Sequence, residues 1–211
     1  SGDPNDDHGH GTHVAGIIAM QANNGIGGTG VAYNAQIMAI KAAQYSGILS
    51  ATDISQAIYY AVEKGADVIN MSYGGYNKSQ IEEDALAVAF GQAVLVAAAE
   101  NDGIVNWPCT MPLPTNMYPA AHNWVLGIMA STRSGGLAKF SNKDCVPHDI
   151  WEYELQLPGV DIMSTLPGDQ YAAWDGTSMA TPIAAGMAVL ARTKWADKDV
   201  YSSRFIMGQL V

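Results

Sequence analysis

Short apolar runs separated by helical patterns constrain the fold of this chain more than any other feature. The apolar runs cover residues 35–42, 67–72, 93–99 and 123–130. Apolar residues recur at helical spacing over residues 13–23, 52–65, 80–92 and 177–195. A strand covered on both faces is apolar throughout, whereas a strand with one solvent face alternates. The pattern therefore predicts an α/β fold: a doubly wound, mainly parallel sheet with helices on both faces.

Composition limits the classes of function that the chain can serve. Of its 211 residues, 48% are hydrophobic and 14% are charged, which is typical of one globular domain. We therefore expect residues 1–211 to form a single domain. A formal net charge of −10 disfavours nucleic acid as a partner, because an acidic surface repels phosphates. The longest apolar stretch, residues 86–99, is too short to span a bilayer, so we also expect no membrane partner.

Two motifs near the start of the chain resemble ligand-binding motifs, but their sequence context disfavours that interpretation. Residues 25–30 match the dinucleotide fingerprint GxGxxG, but here a helical pattern precedes the glycines and a strand pattern follows. Nucleotide binding requires the reverse order, so a glycine-rich turn is the better interpretation. His8, His10 and His13 invite a metal site. The HExxH spacing of zinc proteases is absent, and the flanking glycines would loosen a metal cage.

A serine far along the chain gives the histidines a different meaning. Ser178 follows Gly176 and Thr177 at the start of a long helical pattern, where a hydroxyl is either an ordinary cap or a nucleophile. No histidine follows it, which excludes the Ser-Asp-His order of α/β-hydrolases. The Asp-His-Ser order stays open, with the histidine upstream.

Five segments, in order, resemble the motifs of one protease family. HGTHVAGIIA (10–19) and GTSMATP (176–182) resemble the histidine and serine motifs of subtilisin-like serine endopeptidases, the subtilases. INMSYGG (69–75) and VAAAEN (96–101) resemble the two substrate-pocket strands of that family. LPGVDIMSTLP (157–167) resembles its segment leading to the serine. The resemblance covers nearly the whole chain and implies the subtilisin fold.

The resemblance also implies roles for individual residues. His10 would be the general base and acid, Ser178 the nucleophile, and Asn101 a side-chain donor to the oxyanion. The function implied is hydrolysis of peptide bonds through an acyl-enzyme. A polypeptide substrate would bind as an extended strand between residues 72–74 and 46–49. The implied substrate-binding residues are Ser72, Tyr73, Gly74, Ala98, Ala99 and Glu100.

The chain departs from the family pattern at the triad aspartate. That residue lies in a D-[ST]-G turn well before the histidine, and nine residues precede His10 here. Asp6 and Asp7 are too close to His10 for that role, and we expect them to line the cleft instead. We therefore expect the triad Asp outside this chain. We also expect an incomplete fold, with the last elements of the family missing, and a weakly active or inactive isolated chain.

Glu100 replaces the glycine that usually precedes the oxyanion asparagine in this family. One interpretation is a solvated loop acid. The other is a preference for Lys or Arg in the substrate residue before the cut, with Asp102 close by.

The resemblance carries further expectations. Asn24 resembles a ligand of a structural calcium site whose other ligands would lie outside the chain, and the chemistry requires no cofactor. We expect a secreted, monomeric protein with a propeptide in its full-length form. Cys109 and Cys145 can pair if the protein is exported.

A second class of function is a protease-like binding module that does not cut. The absence of the triad Asp from the chain motivates this alternative. The presence of His10, Asn101 and Ser178 opposes it, because a binding module has no physical need for all three.

Overall fold

The computed structural model describes residues 5–43, 47–103, 116–144 and 153–211. The helices are α1 (His10–Ala19), α2 (Ala51–Glu63), α3 (Gln80–Phe90), α4 (Thr177–Lys194) and α5 (Ser203–Met207). The strands are β1 (Val68–Met71), β2 (Val94–Ala98), β3 (Leu126–Ser131), β4 (Leu155–Pro158), β5 (Ile162–Leu166) and β6 (Gln170–Trp174).

A parallel sheet in the order β1-β2-β3-β4 forms the centre of the molecule. In its register, Asn70 pairs with Val96, and Val96 pairs with Leu126. Parallel strands end at the same edge, so the residues that follow β1 and β2 come together there. In open α/β sheets this carboxyl edge is where functional groups collect.

Strand β2 shows why the sheet is covered on both faces. Its side chains alternate between two buried clusters, because successive residues of a strand point to opposite faces. Leu95 and Ala97 join one cluster with Ile58 of α2 and Leu86 of α3. Val94 and Val96 join the other with residues of α4, including Ala180 and Ala184. The predicted doubly wound α/β architecture is confirmed.

Strands β5 and β6 form an antiparallel hairpin that the apolar runs did not predict. Ile162 pairs with Trp174, and Leu166 pairs with Gln170. Between them, Gly168 and Asp169 both have positive φ, 77° and 56°. Glycine and aspartate tolerate this left-handed conformation, which tight hairpin turns require.

Helix α1 lies unusually close to this hairpin because residue 16 is glycine. A Cβ on Gly16 would come within 2.3 Å of both Ser164 Oγ and Thr165 Oγ1. The two hydroxyls instead donate to carbonyl oxygens of α1: Ser164 Oγ to His13 at 2.6 Å and Thr165 Oγ1 to Thr12 at 3.1 Å. This contact fixes the start of α1 relative to the hairpin.

The predicted strand at residues 35–42 is wrong for this structure. No described strand pairs with it, and Ile37, Met38 and Ile40 are 44%, 40% and 37% exposed. An apolar run becomes a strand only when a neighbour satisfies its backbone hydrogen bonds. Among the described strands that neighbour is missing, so the segment stays irregular.

Two other predictions concern the cysteines and a membrane-spanning helix. Cys109 and Cys145 both lie outside the described residues. Within the described part, no helix is both long and apolar enough to cross a bilayer.

Candidate active site

Three predicted residues from distant parts of the chain meet at one cavity. His10 is the first residue of α1, Asn101 follows β2, and Ser178 is the second residue of α4. All three line a cavity of about 530 Å³. The other described residues that line it are Ala173, Trp174, Asp175, Gly176 and Met179. Segments separated by up to 168 positions in sequence therefore supply one concave polar site.

The position of His10 depends on the loop before α1. Gly9 adopts a left-handed conformation with φ 95°, which residues with a side chain rarely take. Asp6 then anchors the loop to the helix. Its carboxylate accepts hydrogen bonds from the backbone N–H groups of His8, Gly9 and Thr12 and from the Thr12 hydroxyl, at 2.7–2.9 Å.

Asp6 therefore has a capping role at the N-terminus of α1. Partial burial would raise its pKa, but the hydrogen bonds from Gly9, Thr12 and His8 outweigh burial and hold the pKa well below its ordinary value. Asp7 forms an exposed ion pair with Lys41 at 2.7 Å. Neither acid is among the residues that line the described cavity, so the expectation that they line the cleft does not hold there.

The surroundings of His10 favour its neutral form. Burial lowers its pKa, the neighbouring His8 and His13 lower it further, and Asp6 partly opposes the shift. A lowered pKa keeps the imidazole neutral at neutral pH, which a general base requires. Among the described residues, no carboxylate accepts a hydrogen bond from His10.

His13 has a different place from His10. It is fully buried, and its ring stacks on Trp174 with centroids 4.4 Å apart. Its Nε2 atom lies 3.0 Å from the carbonyl oxygen of Ala172. His13 therefore supports the cavity wall that Trp174 provides.

Ser178 is held by an exchange of hydrogen bonds with the end of β1. Pro182 has no N–H, so it cannot donate to the carbonyl of Ser178 four residues earlier. The Ser72 hydroxyl donates to that carbonyl instead, at 3.0 Å, and itself accepts from Asn70 Nδ2 at 3.0 Å. In return, Ser178 Oγ donates to the Ser72 carbonyl at 3.3 Å.

Asn101 is oriented by the first residue of α4. Its side-chain oxygen accepts from the Thr177 backbone N–H at 2.8 Å and from the Thr177 hydroxyl at 3.1 Å. Since both partners donate, the amide oxygen must face them and Nδ2 must face away. Within the described part of the chain, Nδ2 has no acceptor, and neither has the backbone N–H of Ser178. Two donors at the cavity are thus left for a developing oxyanion.

The six predicted substrate-binding residues differ in their exposure and in the residues that they contact. Ser72 contacts Ser178 directly, and Gly74 is exposed beside Glu100. The Tyr73 hydroxyl donates to Glu82 of α3 at 3.4 Å. Ala98 and Ala99 are fully buried in the core, so the structure gives neither alanine an exposed surface for a substrate. Position 46, in the other predicted wall of the cleft, lies outside the described residues.

The predicted calcium ligand is already engaged locally. Asn24 Oδ1 accepts from the backbone N–H of Ile26 at 3.0 Å in an exposed turn. In the described ranges, no group of three or more His, Cys, Asp or Glu side chains is arranged to hold a metal ion. Calcium takes six to eight oxygen ligands, so Asn24 alone is a fragment of a site. Calcium binding stays a prediction.

Two features of the site were missed by sequence reasoning. Thr177 orients Asn101, and the Ser72 hydroxyl replaces the hydrogen bond that Pro182 removes. The role of Ser72 had a signal in the sequence, because a proline four residues after a candidate nucleophile leaves the carbonyl of that nucleophile without its helical donor. The role of Thr177 had no local signal, because its partner is 76 positions away.

Fold and site together define a class of protein. A serine at a helix N-terminus, an upstream histidine and an oriented amide meet at the carboxyl edge of a parallel sheet. Serine hydrolases use this combination of residue types for their nucleophile, base and oxyanion donor.

Comparison with known proteins identifies the family. The model of the subtilase family, Peptidase_S8, matches residues 1–205, so the chain belongs to the subtilases. It is 40% identical over 189 residues to the thermophilic serine proteinase of Bacillus sp. strain AK1, covering 89% of this chain and 43% of that protein. It is 38% identical over 195 residues to subtilisin E of Bacillus subtilis strain 168, covering 90% of this chain and 48% of that protein.

A further relative and a solved structure agree with this assignment. The minor extracellular protease Epr of Bacillus subtilis strain 168 is 40% identical over 190 residues, covering 90% of this chain and 27% of that protein. The crystal structure of a cold adapted subtilisin-like serine proteinase superposes with a TM-score of 0.81 at 27% identity, covering 99% of this chain and 68% of that one. The chain thus spans less than half the length of these three curated relatives.

Proposed function

We propose that this chain carries the catalytic machinery of a serine endopeptidase that cleaves peptide bonds in proteins. The observation that supports this most is that His10, Asn101 and Ser178 line one cavity. Membership of the subtilases supports the same reaction, since the relatives named above are proteinases.

The three residues act in succession in the proposed reaction. Ser178 Oγ attacks the scissile carbonyl while His10 takes its proton and then delivers that proton to the leaving amine. The negative charge on the carbonyl oxygen is stabilised by Asn101 Nδ2 and the Ser178 N–H. Water, activated by His10, then hydrolyses the acyl-enzyme. In the free site Ser178 Oγ bonds to Ser72, so it must turn to His10 when substrate binds.

In the proposed reaction an Asp carboxylate orients His10, and among the described residues none bonds to that imidazole. It would select the imidazole tautomer whose free Nε2 faces Ser178. The carboxylate would also stabilise the imidazolium, because burial of His10 lowers its pKa and disfavours the charged form.

Substrate, partners and location follow from the same proposal. The substrate is an extended polypeptide that adds a strand beside residues 72–74. The protein acts as a secreted monomer, matured from a propeptide form, with Asn24 contributing to a structural calcium site. The name of the extracellular relative Epr supports secretion. The net charge of −10 supports the absence of nucleic acid partners.

Active-site labelling tests the proposal against the non-catalytic binding module. A serine-directed fluorophosphonate should label the full gene product, and Ser178→Ala should abolish labelling. Ser134→Ala is the control, because Ser134 is exposed and its hydroxyl bonds to Thr132. Absence of labelling in a folded wild-type protein would refute the enzyme and support the binding module.

A further inference from the structure

The side chain of Glu100 lies in the gap between the ends of β1 and β2. A Cβ on Gly74 would come 2.8 Å from Glu100 Cγ and 2.9 Å from Oε1, so the glutamate reaches across to the segment after β1. Both walls of this gap contact the start of α4. Ser72 accepts from Ser178 Oγ at 3.3 Å, and the Glu100 N–H donates to Thr177 Oγ1 at 3.1 Å.

The backbone holds Glu100 in this position from two sides. Its φ is 73°, a left-handed conformation that is uncommon for residues other than glycine. The N–H of Glu100 is bound to Thr177, and its carbonyl accepts from the Asn142 N–H at 3.0 Å. A side chain kept in a strained conformation beside a reactive serine suggests a use in binding.

The carboxylate of Glu100 has no compensating partner within the described ranges. It is half-buried, and no hydrogen bond or ion pair reaches it there. Burial raises the pKa of Glu100 to about 7, and the negative charge of Asp102 adds to the increase. A partly desolvated carboxylate without a partner gains most from a cation.

Asp102 is the charged group that acts on Glu100, and no described base forms an ion pair with it. Asp102 lies on the same loop. Tyr76, from the segment after β1, donates to Asp102 at 2.8 Å, and burial together with that bond raises the pKa of Tyr76 to about 12. The groups that contact the Glu100 backbone from α4 and from the turn at 138–142 are Thr177 and Asn142, which do not titrate.

We propose that Glu100 is a specificity-determining residue that selects Lys or Arg in the substrate residue before the cut. This inference rests on the proposed peptidase function. A carbonyl attacked by Ser178 and bound by Asn101 places the side chain of its own residue next to both. The gap between residues 72–74 and 99–101 is adjacent to those two groups, and Glu100 lies in it. A cationic side chain there forms an ion pair, whereas an apolar one must cover an unpaired carboxylate.

Matched peptides test the inference in the full gene product. Peptides identical except for Arg or Phe before the cut are compared by kcat/KM for the wild type and Glu100→Gln. We expect the Arg/Phe ratio to fall about tenfold in Glu100→Gln, the effect of losing one favourable ionic contact. Glu100→Gly removes the same carboxylate and relieves the positive φ, so it gives the same answer if the amide variant folds poorly.

The matched control removes an acid elsewhere. Glu63→Gln takes away an exposed carboxylate at the end of α2 that pairs with Lys64 at 2.8 Å, and it should leave the ratio unchanged. Cleavage of both peptides with the same Arg/Phe ratio in wild type and both Glu100 variants would overturn the inference alone. Failure to cleave any peptide, together with failure of fluorophosphonate labelling, would instead overturn the peptidase function.

The pH dependence gives an independent readout. The wild-type Arg/Phe ratio should rise between about pH 6 and about pH 8, because Glu100 ionises in that range. The ratio should be flat over the same range in Glu100→Gln. A flat wild-type profile contradicts the inference, and so does an equal rise in the variant, which would assign the effect to another group.

Discussion

At the scale of single residues, Thr177 does more for the site than its conventional position suggests. Its hydroxyl accepts from the Glu100 N–H and donates to Asn101 Oδ1, both at 3.1 Å. The same side chain thus joins Glu100, the proposed specificity residue, to Asn101, the proposed oxyanion donor. A valine has nearly the same shape but makes neither bond.

Thr177→Val should lower kcat about 3- to 10-fold with little change in KM, because one hydrogen bond that orients Asn101 is lost. The Thr177 N–H still holds Asn101, so the effect is smaller than removal of the amide. That removal, Asn101→Ala, corresponds to a loss of about 10²–10³ in kcat measured for the equivalent donor of subtilisin. Steady-state kinetics of the full gene product measure both.

Thr181→Val provides the matched control for that prediction. Thr181 is equally buried in α4, but its hydroxyl donates to the carbonyl of Thr177 within the helix. Thr181→Val loses one hydrogen bond and should lose about 1 kcal/mol of unfolding free energy, whereas Thr177→Val loses two and should lose about 2 kcal/mol. Only Thr177→Val should reduce kcat. Equal kcat values in the two variants would show that Thr177 has a purely structural role.

Much of the site was predictable from sequence at this scale because its residues stand in motifs. Chain order indicated only that the histidine lies upstream of Ser178, and the family motif around residues 10–19 selected His10. The burial of Ala98 and Ala99 was not predictable, since small residues at a strand end are equally compatible with a pocket wall and a core. The sheet packing decides between them, and both alanines are fully buried.

At the scale of elements, α1 is the helix on which the proposed base depends. His10 is its first residue, so any fraying of the first turn displaces the imidazole. The N-cap position itself is Gly9, which has no side chain to cap with. Asp6, further upstream, accepts from the N–H groups of Gly9 and Thr12 instead.

Asp6→Asn should therefore lower the free energy of unfolding by about 1–2 kcal/mol, because the amide keeps only one of the two acceptor oxygens and loses the charge that strengthens the hydrogen bonds. Asp7→Asn is the matched control on the adjacent residue, since Asp7 makes an exposed pair with Lys41. It should cost at most about 0.5 kcal/mol. Denaturant titration at neutral pH measures the two variants, and equal losses would contradict the capping role.

The pH dependence of stability gives the sign of the Asp6 contribution. The folded-state pKa of Asp6 lies below its unfolded value of about 3.9. Its contribution is thus complete above about pH 4 and is lost as pH falls towards the folded pKa. Wild type and Asp6→Asn should converge in stability at acid pH, and a constant difference down to about pH 2 would contradict this assignment.

Prediction from sequence succeeded for elements with a strong local pattern. It failed for segments whose conformation depends on pairing with another strand. Helices α2, α3 and α4 lie within a few residues of their predicted ranges. The run at 35–42 has the composition of a strand but no described neighbour to pair with. The β5–β6 hairpin forms because Gly168 and Asp169 accept positive φ, a turn signal weaker than the apolar runs.

At the scale of the whole molecule, charge is the property that acts over distance. The chain has 20 acidic residues against 10 basic ones, which gives the formal net charge of −10. Such a field attracts cationic polypeptides before any contact forms. This long-range field differs from the proposed ion pair between Glu100 and one substrate side chain. Salt screens the field far more than it screens a partly buried pair.

This difference leads to a prediction about substrates that have the same residue before the cut. Two peptides with Phe at that position, one with lysines remote from the cut and one with glutamines in their place, should differ in salt dependence. Between about 0.01 M and about 0.3 M salt, kcat/KM of the lysine peptide should fall about tenfold, while that of the glutamine peptide stays nearly constant. The loss should appear as a higher KM with kcat unchanged, because kcat reports the complex after the substrate has bound. Parallel salt profiles for the two peptides would mean that the acidic surface plays no part in substrate capture.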